Sequence, residues 1–332
     1  INRVSLAQAM KQNLVEYLDL APIYKQQLAT LVSLDEIRQS RLKVAIDPMY
    51  GVGAGYFEEL LGGGAIELRE INSERNPLFP GMHQPEPIAD NLTKLSATIR
   101  RGKASVGLAT DGDADRLGVV DENGIFISPL HIFALLCLYL LEVRGERGPI
   151  IKTITMSRML YRLGEIFKVP VYETAVGFKY IAPIMMAENA LIGGEESGGY
   201  GFRGHVPERD GILAGLYFLD LMVKTGKKPS ELLDYLYNKV GPHYYKRLDM
   251  EFPAEERQAI EGRLRNNVPE TIDGVKVVKT DTSDGFRYIL ADNTWLLIRF
   301  SGTEPILRIY TETDSQARAD RLLEFGKELT VV

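Results

Sequence analysis

The 332-residue sequence has one cysteine and no long apolar run, and it carries no excess of positive charge. Each absence removes a class of protein. A single thiol, Cys137, excludes internal disulfides and fits a reducing cytosol; inside the run IFALLCLYLL it reads as a buried core residue. No apolar stretch approaches the roughly 18 residues a membrane-spanning helix requires, so no membrane partner is expected. The N-terminus shows no basic region followed by an apolar core, so no secretory leader is visible. Lys and Arg number 39 against 45 Asp and Glu, giving a net charge of -6 with the basic residues dispersed, and nucleic acid is not an expected partner. What remains is the profile of a cytoplasmic globular protein, 45% apolar and 25% charged. Its length calls for two or three domains. The first residue is Ile1 rather than methionine, which suits an internal piece of a longer chain.

Local pattern divides the chain further. Residues 3–20 carry apolar positions at helical spacing, and a polar stretch continues to Ser40, so 1–40 is expected as a helix and linker. From 41 to 147, strands at 42–48 and 65–70 and an apolar run at 104–109 alternate with helices at 56–61, 90–100 and 130–143. A loop with four prolines (76–88) interrupts them. A second alternation covers 148–243: strands PIIKTI, VPVYET and LIGG, with helices at 157–167, 178–188, 212–224 and 230–240 and Ser230 as a candidate N-cap. The remainder, 244–332, reads as a charged helix at 254–266, four strand-like runs and a closing helix. The fold class expected is α/β: two consecutive mixed α/β domains, which could be structurally related, followed by a smaller α+β domain.

Three stretches carry chemistry. In LATDGDADRLGVVDENG, Asp111, Asp113 and Asp115 alternate with small residues between two apolar strands. Three carboxylates on one side of a turn repel one another unless a hard cation neutralises them, which points to Mg²⁺ or Ca²⁺. With Glu122 at the twelfth position the spacing also matches a calcium EF-hand, but Arg116 occupies the position that needs glycine and the flanks are strand-like. A dehalogenase-type phosphatase aspartate pair and a solvated acidic turn are the other readings. The glycine-rich GGEESGGYGFRGHVPERDG lets backbone approach a ligand closely, with Glu195 and Ser197 able to hold vicinal hydroxyls and Arg203, His205 and Arg209 suited to an anion. In RFSGTEPILR, Arg299 and Arg308 bracket Ser301, Gly302 and Thr303, whose hydroxyls and amides can wrap a phosphate. Lys179 opens a helix after a strand, a position that favours anions, or is an ordinary surface lysine.

DGDADR, GEESGG and RFSGTEP, in that order and spacing, resemble the metal-binding, sugar-binding and phosphate-binding loops of the α-D-phosphohexomutase family, the phosphoglucomutases and phosphomannomutases. The resemblance implies that Asp111, Asp113 and Asp115 are Mg²⁺ ligands and that Arg116 lies beside a phosphorylated nucleophile. It further implies that Glu195 and Ser197 hold sugar hydroxyls, that Arg299, Ser301, Gly302 and Thr303 hold the substrate phosphate, and that Lys179 assists proton transfer. The implied reaction interconverts hexose 1-phosphate and hexose 6-phosphate, glucose foremost, through a phosphoserine and a bisphosphorylated sugar, with hexose 1,6-bisphosphate as activator. The Ser-His-Asn-Pro-like motif of the family's first domain does not occur here. The resemblance therefore covers the second to fourth domains, and a missing first domain in cis is the expected partner beside the phosphosugar. On this reading the chain is inactive alone. A non-catalytic phosphosugar-binding module that naturally lacks the first domain is the alternative.

Overall fold

Val44, Ala45 and Ile46 are buried on both faces of strand β1 (Lys43–Asp47), the pattern of a central parallel strand covered by helices. The computed structural model that shows this describes residues 3–301 and 305–330. Ahead of β1 lie α1 (Leu6–Lys11), α2 (Ala21–Leu31) and α3 (Leu34–Arg38). After it come α4 (Tyr56–Leu61), β2 (Glu67–Glu70), α5 (Thr93–Gly102), β3 (Val106–Thr110), β4 (Leu117–Val120), β5 (Phe126–Ile127) and α6 (Pro129–Leu138), the last running on into a π-helical turn to Val143. The first sheet has the order β2-β1-β3-β4-β5, with β1 parallel to β2 and β3, and β4 returning antiparallel to β3.

The second unit contains β6 (Ile150–Thr153), α7 (Met159–Phe167), β7 (Val171–Thr174), α8 (Phe178–Ala187), β8 (Ile192–Gly194), β9 (Tyr200–Phe202), α9 (Gly211–Thr225) and α10 (Pro229–Val240). Its sheet, β7-β6-β8-β9, repeats the first four strands of the earlier one: two parallel pairings about the first strand, then an antiparallel return. The metal-type aspartates follow β3 and Glu195 follows β8, so the two loops are topological equivalents. Helix α6 is apolar on all sides and α9 nearly so, and both are buried in one core that runs continuously from Leu28 to Val240.

The third unit holds β10 (Tyr244–Glu251), α11 (Arg257–Asn266), β11 (Thr271–Ile272), β12 (Val275–Asp281), β13 (Phe286–Leu290), β14 (Trp295–Phe300), β15 (Ile306–Thr313) and α12 (Gln316–Glu328). Its sheet is antiparallel throughout, in the order β10-β15-β14-β13-β12-β11. Leu322 and Leu323 of α12 and Ile260 and Leu264 of α11 fill its core. Among the described residues no helix is long and apolar enough to cross a membrane.

Four local expectations give way. The helix expected over 3–20 stops at Lys11: Leu14, Tyr17, Leu18 and Leu20 are exposed, so the apolar stripe has nothing to pack against among the described residues. Residues 21–38, expected within a linker, form α2 and α3, whose Leu28, Val32, Leu34 and Ile37 join the core of the first sheet. Lys228, not Ser230, stands at the N-cap position of α10, where its backbone N–H donates to Glu231, and the Ser230 hydroxyl instead donates to Glu122. Strand β10 was absent from the pattern because YYKRLDME is polar; it is an edge strand, where charged side chains are normal.

Candidate active site

The aspartate loop is held in a tight turn, with Ala114 at φ 62°. Asp111 Oδ1 accepts the Arg116 backbone N–H at 3.0 Å. The turn brings one carboxylate oxygen from each of Asp111, Asp113 and Asp115 to within 4.8 Å of one another. Asp111 is buried, Asp113 exposed and Asp115 between the two. Burial, then the charges of Asp115 and Asp113, push the Asp111 carboxyl up to about 8, and burial raises Asp115 against the pull of Arg209. Asp115 Oδ1 is buried without a hydrogen-bond partner. An all-oxygen set, crowded and short of donors, fits a hard divalent cation such as Mg²⁺. Glu122 is spent on Ser230 in another part of the molecule, which closes the EF-hand reading.

Arg116 reaches around this cluster. Its Nε lies 3.4 Å from Asp111 and 3.7 Å from Asp115, and its Nη1 donates to Glu86 at 2.7 Å. Glu86 comes from the proline-containing loop and carried no signal in sequence, because the pair is separated by 30 residues.

The glycine-rich loop is stitched onto the aspartate loop. The Leu117 N–H donates to Gly198 O at 2.9 Å, and Arg116 bridges to Gly199. Gly211 N–H donates to Ala114 O at 3.0 Å, and a Cβ on Gly211 would stand 2.3 Å from Arg116 O. Only glycine lets the start of α9 come this close to the metal-type turn. Arg209 then links the two loops by charge, 2.7 Å from Asp115 and 3.6 Å from Glu195. Glu195 is buried and accepts the Gly177 N–H at 3.0 Å; burial raises its carboxyl, opposed by Arg209. Gly177 caps the helix that Lys179 enters, so Lys179 stands in the next turn of chain from the Glu195 contact, exposed, with its Nζ 5.0 Å from the Tyr180 ring centroid. Ser197 is half-buried on the turn between β8 and β9.

Glu196, next to Glu195, went unremarked in sequence. It accepts from the Thr155 hydroxyl at 2.5 Å and faces the third unit. Burial and then the Glu196 carboxylate push the Tyr310 hydroxyl up to about 12, while Arg247, Arg308 and Arg299 pull the other way. The glycine-rich turn and the arginines of the phosphate-type loop therefore flank the same tyrosine. Arg299 and Arg308 sit directly opposite each other across β14 and β15. Two cations in that register repel unless anions share them. Asp284 accepts from Arg299 Nε at 3.0 Å, and Asp249 lies 3.7 Å from Arg308 Nε. Asp284 also takes the Val176 N–H at 2.8 Å, fastening this loop to the segment before Lys179. Ser301 is buried and its N–H closes the hairpin onto Ile306 O at 2.8 Å. Gly302 and Thr303 lie outside the described residues.

Arg203 and His205 are placed elsewhere. Arg203 is paired with Glu146 at 3.1 Å and the Arg147 carbonyl at 2.9 Å. His205 binds Asp210 at 2.9 Å; Asp210 caps α9 and also accepts from the Tyr24 hydroxyl. Arg203 thus fastens the segment before β6, and His205 braces α2 and α9 through Asp210, rather than joining the aspartates, Glu195 or Arg299.

Sequence models for three consecutive family regions match this chain: phosphoglucomutase/phosphomannomutase alpha/beta/alpha domain II over residues 22–124, alpha/beta/alpha domain III over 128–240, and the C-terminal domain over 258–327. The chain is similar to a phosphoglucomutase/phosphomannomutase of Thermococcus kodakarensis, at 33% identity over 94% of this chain and 65% of the relative. It is also similar to a phosphoglucosamine/phosphogalactosamine mutase of Sulfurisphaera tokodaii, at 30% identity over 92% of this chain and 65% of the relative. Among solved structures, a phosphoglucomutase/phosphomannomutase family protein from Burkholderia thailandensis superimposes with a TM-score of 0.78 at 26% identity, over 95% of this chain and 64% of that one. The chain thus spans about 65% of the length of the relatives it matches.

Proposed function

The chain belongs to the α-D-phosphohexomutase family, and from that premise we propose that it supplies the metal, sugar and phosphate grips of an enzyme interconverting hexose 1-phosphate and hexose 6-phosphate, with glucose as the hexose. The observation that carries the reading is the joining of the aspartate turn to the Glu195 turn, by the Leu117–Gly198 hydrogen bond and by Arg209 between Asp115 and Glu195. A cation site and a carboxylate able to grip hydroxyls are thereby fixed side by side on equivalent ends of two sheets, where ligands of open α/β sheets bind.

In this reading Asp111, Asp113 and Asp115 hold Mg²⁺, which when bound neutralises charge on a transferring phosphoryl group. Glu195 and Ser197 accept and donate to vicinal sugar hydroxyls. Arg299 and Ser301, with Gly302 and Thr303, hold the phosphate that does not react, and Arg308 adds charge opposite Arg299. Arg116 orients the phosphoryl donor, while Lys179 moves a proton at the attacking sugar hydroxyl. The donor is a phosphoserine carried outside these 332 residues, and the sugar passes through a bisphosphorylated form, which is why hexose 1,6-bisphosphate activates. Without that serine the chain does not turn over.

The test is conversion of glucose 1-phosphate by protein that includes a serine-bearing first domain. Activity is expected there, absent from this chain alone, and lost on Asp113→Asn. If the longer protein converts no glucose, mannose or glucosamine phosphate, or if Asp113→Asn matches wild type, the proposal fails.

A further inference from the structure

Five cationic side chains converge on a cavity at the opposite end of the first sheet. Arg41 precedes β1, Arg100 and Lys103 flank the end of α5 before β3, and Lys227 and Lys228 lie between α9 and α10. The cavity they line has a volume of about 890 Å³. β1 and β3 run parallel and the aspartates follow the far end of β3, so this cavity opens at the strands' N-terminal ends. Helix α9 links the two places: its first residue touches the aspartate turn and Met222, near its other end, lines the cavity. The 11 residue steps from Gly211 to Met222 put about 16 Å between them.

The charges here are not spent on structure. None of the five forms an ion pair among the described residues; Arg100 donates to the Gly124 carbonyl at 3.2 Å and Lys227 sits 5.5 Å from the Tyr235 ring centroid. The one carboxylate in the lining, Glu122, is engaged by Ser230. In a chain of net charge -6, such a gathering of unpaired cations concentrates positive potential in one concave place. The floor is apolar, from Leu42, Met222 and Val223. An arginine fork and several ammonium groups match phosphate oxygens, the floor matches a ring or hydrocarbon body, and the volume is that of a small-molecule pocket.

We propose that this cavity binds a phosphorylated small molecule with an apolar or aromatic body, of the nucleoside diphosphate class, separately from the phosphosugar site. The test is calorimetric titration of ADP into the 332-residue chain at low salt. Binding tighter than about 1 mM is expected, pyrophosphate binding several-fold more weakly because it cannot use the floor. Arg41→Ala/Lys103→Ala/Lys228→Ala, all at exposed positions, is expected to weaken ADP at least tenfold with an unchanged thermal melt, while Asp113→Asn leaves it unaltered. Failure of ADP to bind, equal affinity in the triple variant, pyrophosphate binding as tightly as ADP, or displacement of ADP by glucose 6-phosphate would each overturn the proposal.

Discussion

Glu173→Gln should loosen the C-terminal unit from the rest of the molecule. Glu173 on β7 accepts from Lys152 and Tyr161 of its own unit and, at 2.8 Å, from Arg287 of the third unit. Lys152 is 1% exposed and Arg287 is 7% exposed. Burial alone would raise the Glu173 carboxyl, but the Arg287 hydrogen bonds and the Lys152 charge overcome it and hold it down to about 2, against an ordinary 4.5. A depressed carboxylate contributes stability above its unfolded value and loses it as pH falls towards the folded one, so this contribution is complete above about pH 4.5. At 1.36 kcal/mol per unit it amounts to about 3 kcal/mol. Removing the charge leaves Lys152 buried without its partner, for which about 3–5 kcal/mol is typical. Arg287 keeps Asp281 at 2.8 Å. The assay is urea unfolding followed by fluorescence of Trp295, the only tryptophan, which packs in a cluster with Ile154 and Tyr310 between the two units. Glu173→Gln should lose about 3–5 kcal/mol at pH 7, with the deficit narrowing as pH falls from 4.5 towards 3. Lys152→Met combined with it should cost less than the two single changes summed. A loss below about 1 kcal/mol at pH 7, or a deficit independent of pH, would refute the reasoning.

Two further predictions concern the core and the site. Gly211→Ala forces backbone out of contact with Arg116 O, so it should cost about 1–3 kcal/mol in melting experiments and weaken Mn²⁺ binding. Gly102→Ala, with nothing within 4 Å of its Cβ, should change stability by less than about 1 kcal/mol and leave Mn²⁺ binding intact. His131 is held between Ser128 and Tyr237, and burial pushes its imidazole down to about 4. The unfolded chain takes up the proton first, so stability should fall by about 2 kcal/mol between pH 7 and pH 5, and His131→Asn should remove most of that slope. A slope unchanged in His131→Asn would contradict this.

The aspartate turn was legible because its three carboxylates lie within five consecutive residues, and local spacing already dictates that they crowd. Arg299 and Arg308 were legible as a pair for a similar reason, a hairpin that sets them in register. What sequence withheld are pairings made by topology. Glu86 with Arg116, Asp284 with Val176 and Glu173 with Arg287 join distant segments, and none has a local mark. The equivalence of the aspartate and Glu195 loops emerges only from strand order. Arg203 and His205 drew attention by lying in a glycine-rich stretch, yet Arg203 turns to Glu146 and His205 to Asp210, and the stretch returns to the site only at Arg209. The exposed apolar residues of 14–20 show the limit of periodicity: helical spacing does not make a helix without a surface to bury it on.

If Asp111, Asp113 and Asp115 form one divalent-cation site, the chain should bind a single Mn²⁺ through them. The most direct measurement is a Mn²⁺ titration of this chain followed by electron paramagnetic resonance, with Mg²⁺ as competitor. One Mn²⁺ bound per chain, displaced by Mg²⁺ and lost in Asp113→Asn at unchanged melting temperature, is the predicted result. No stoichiometric binding, or binding that survives Asp113→Asn undiminished, would contradict it.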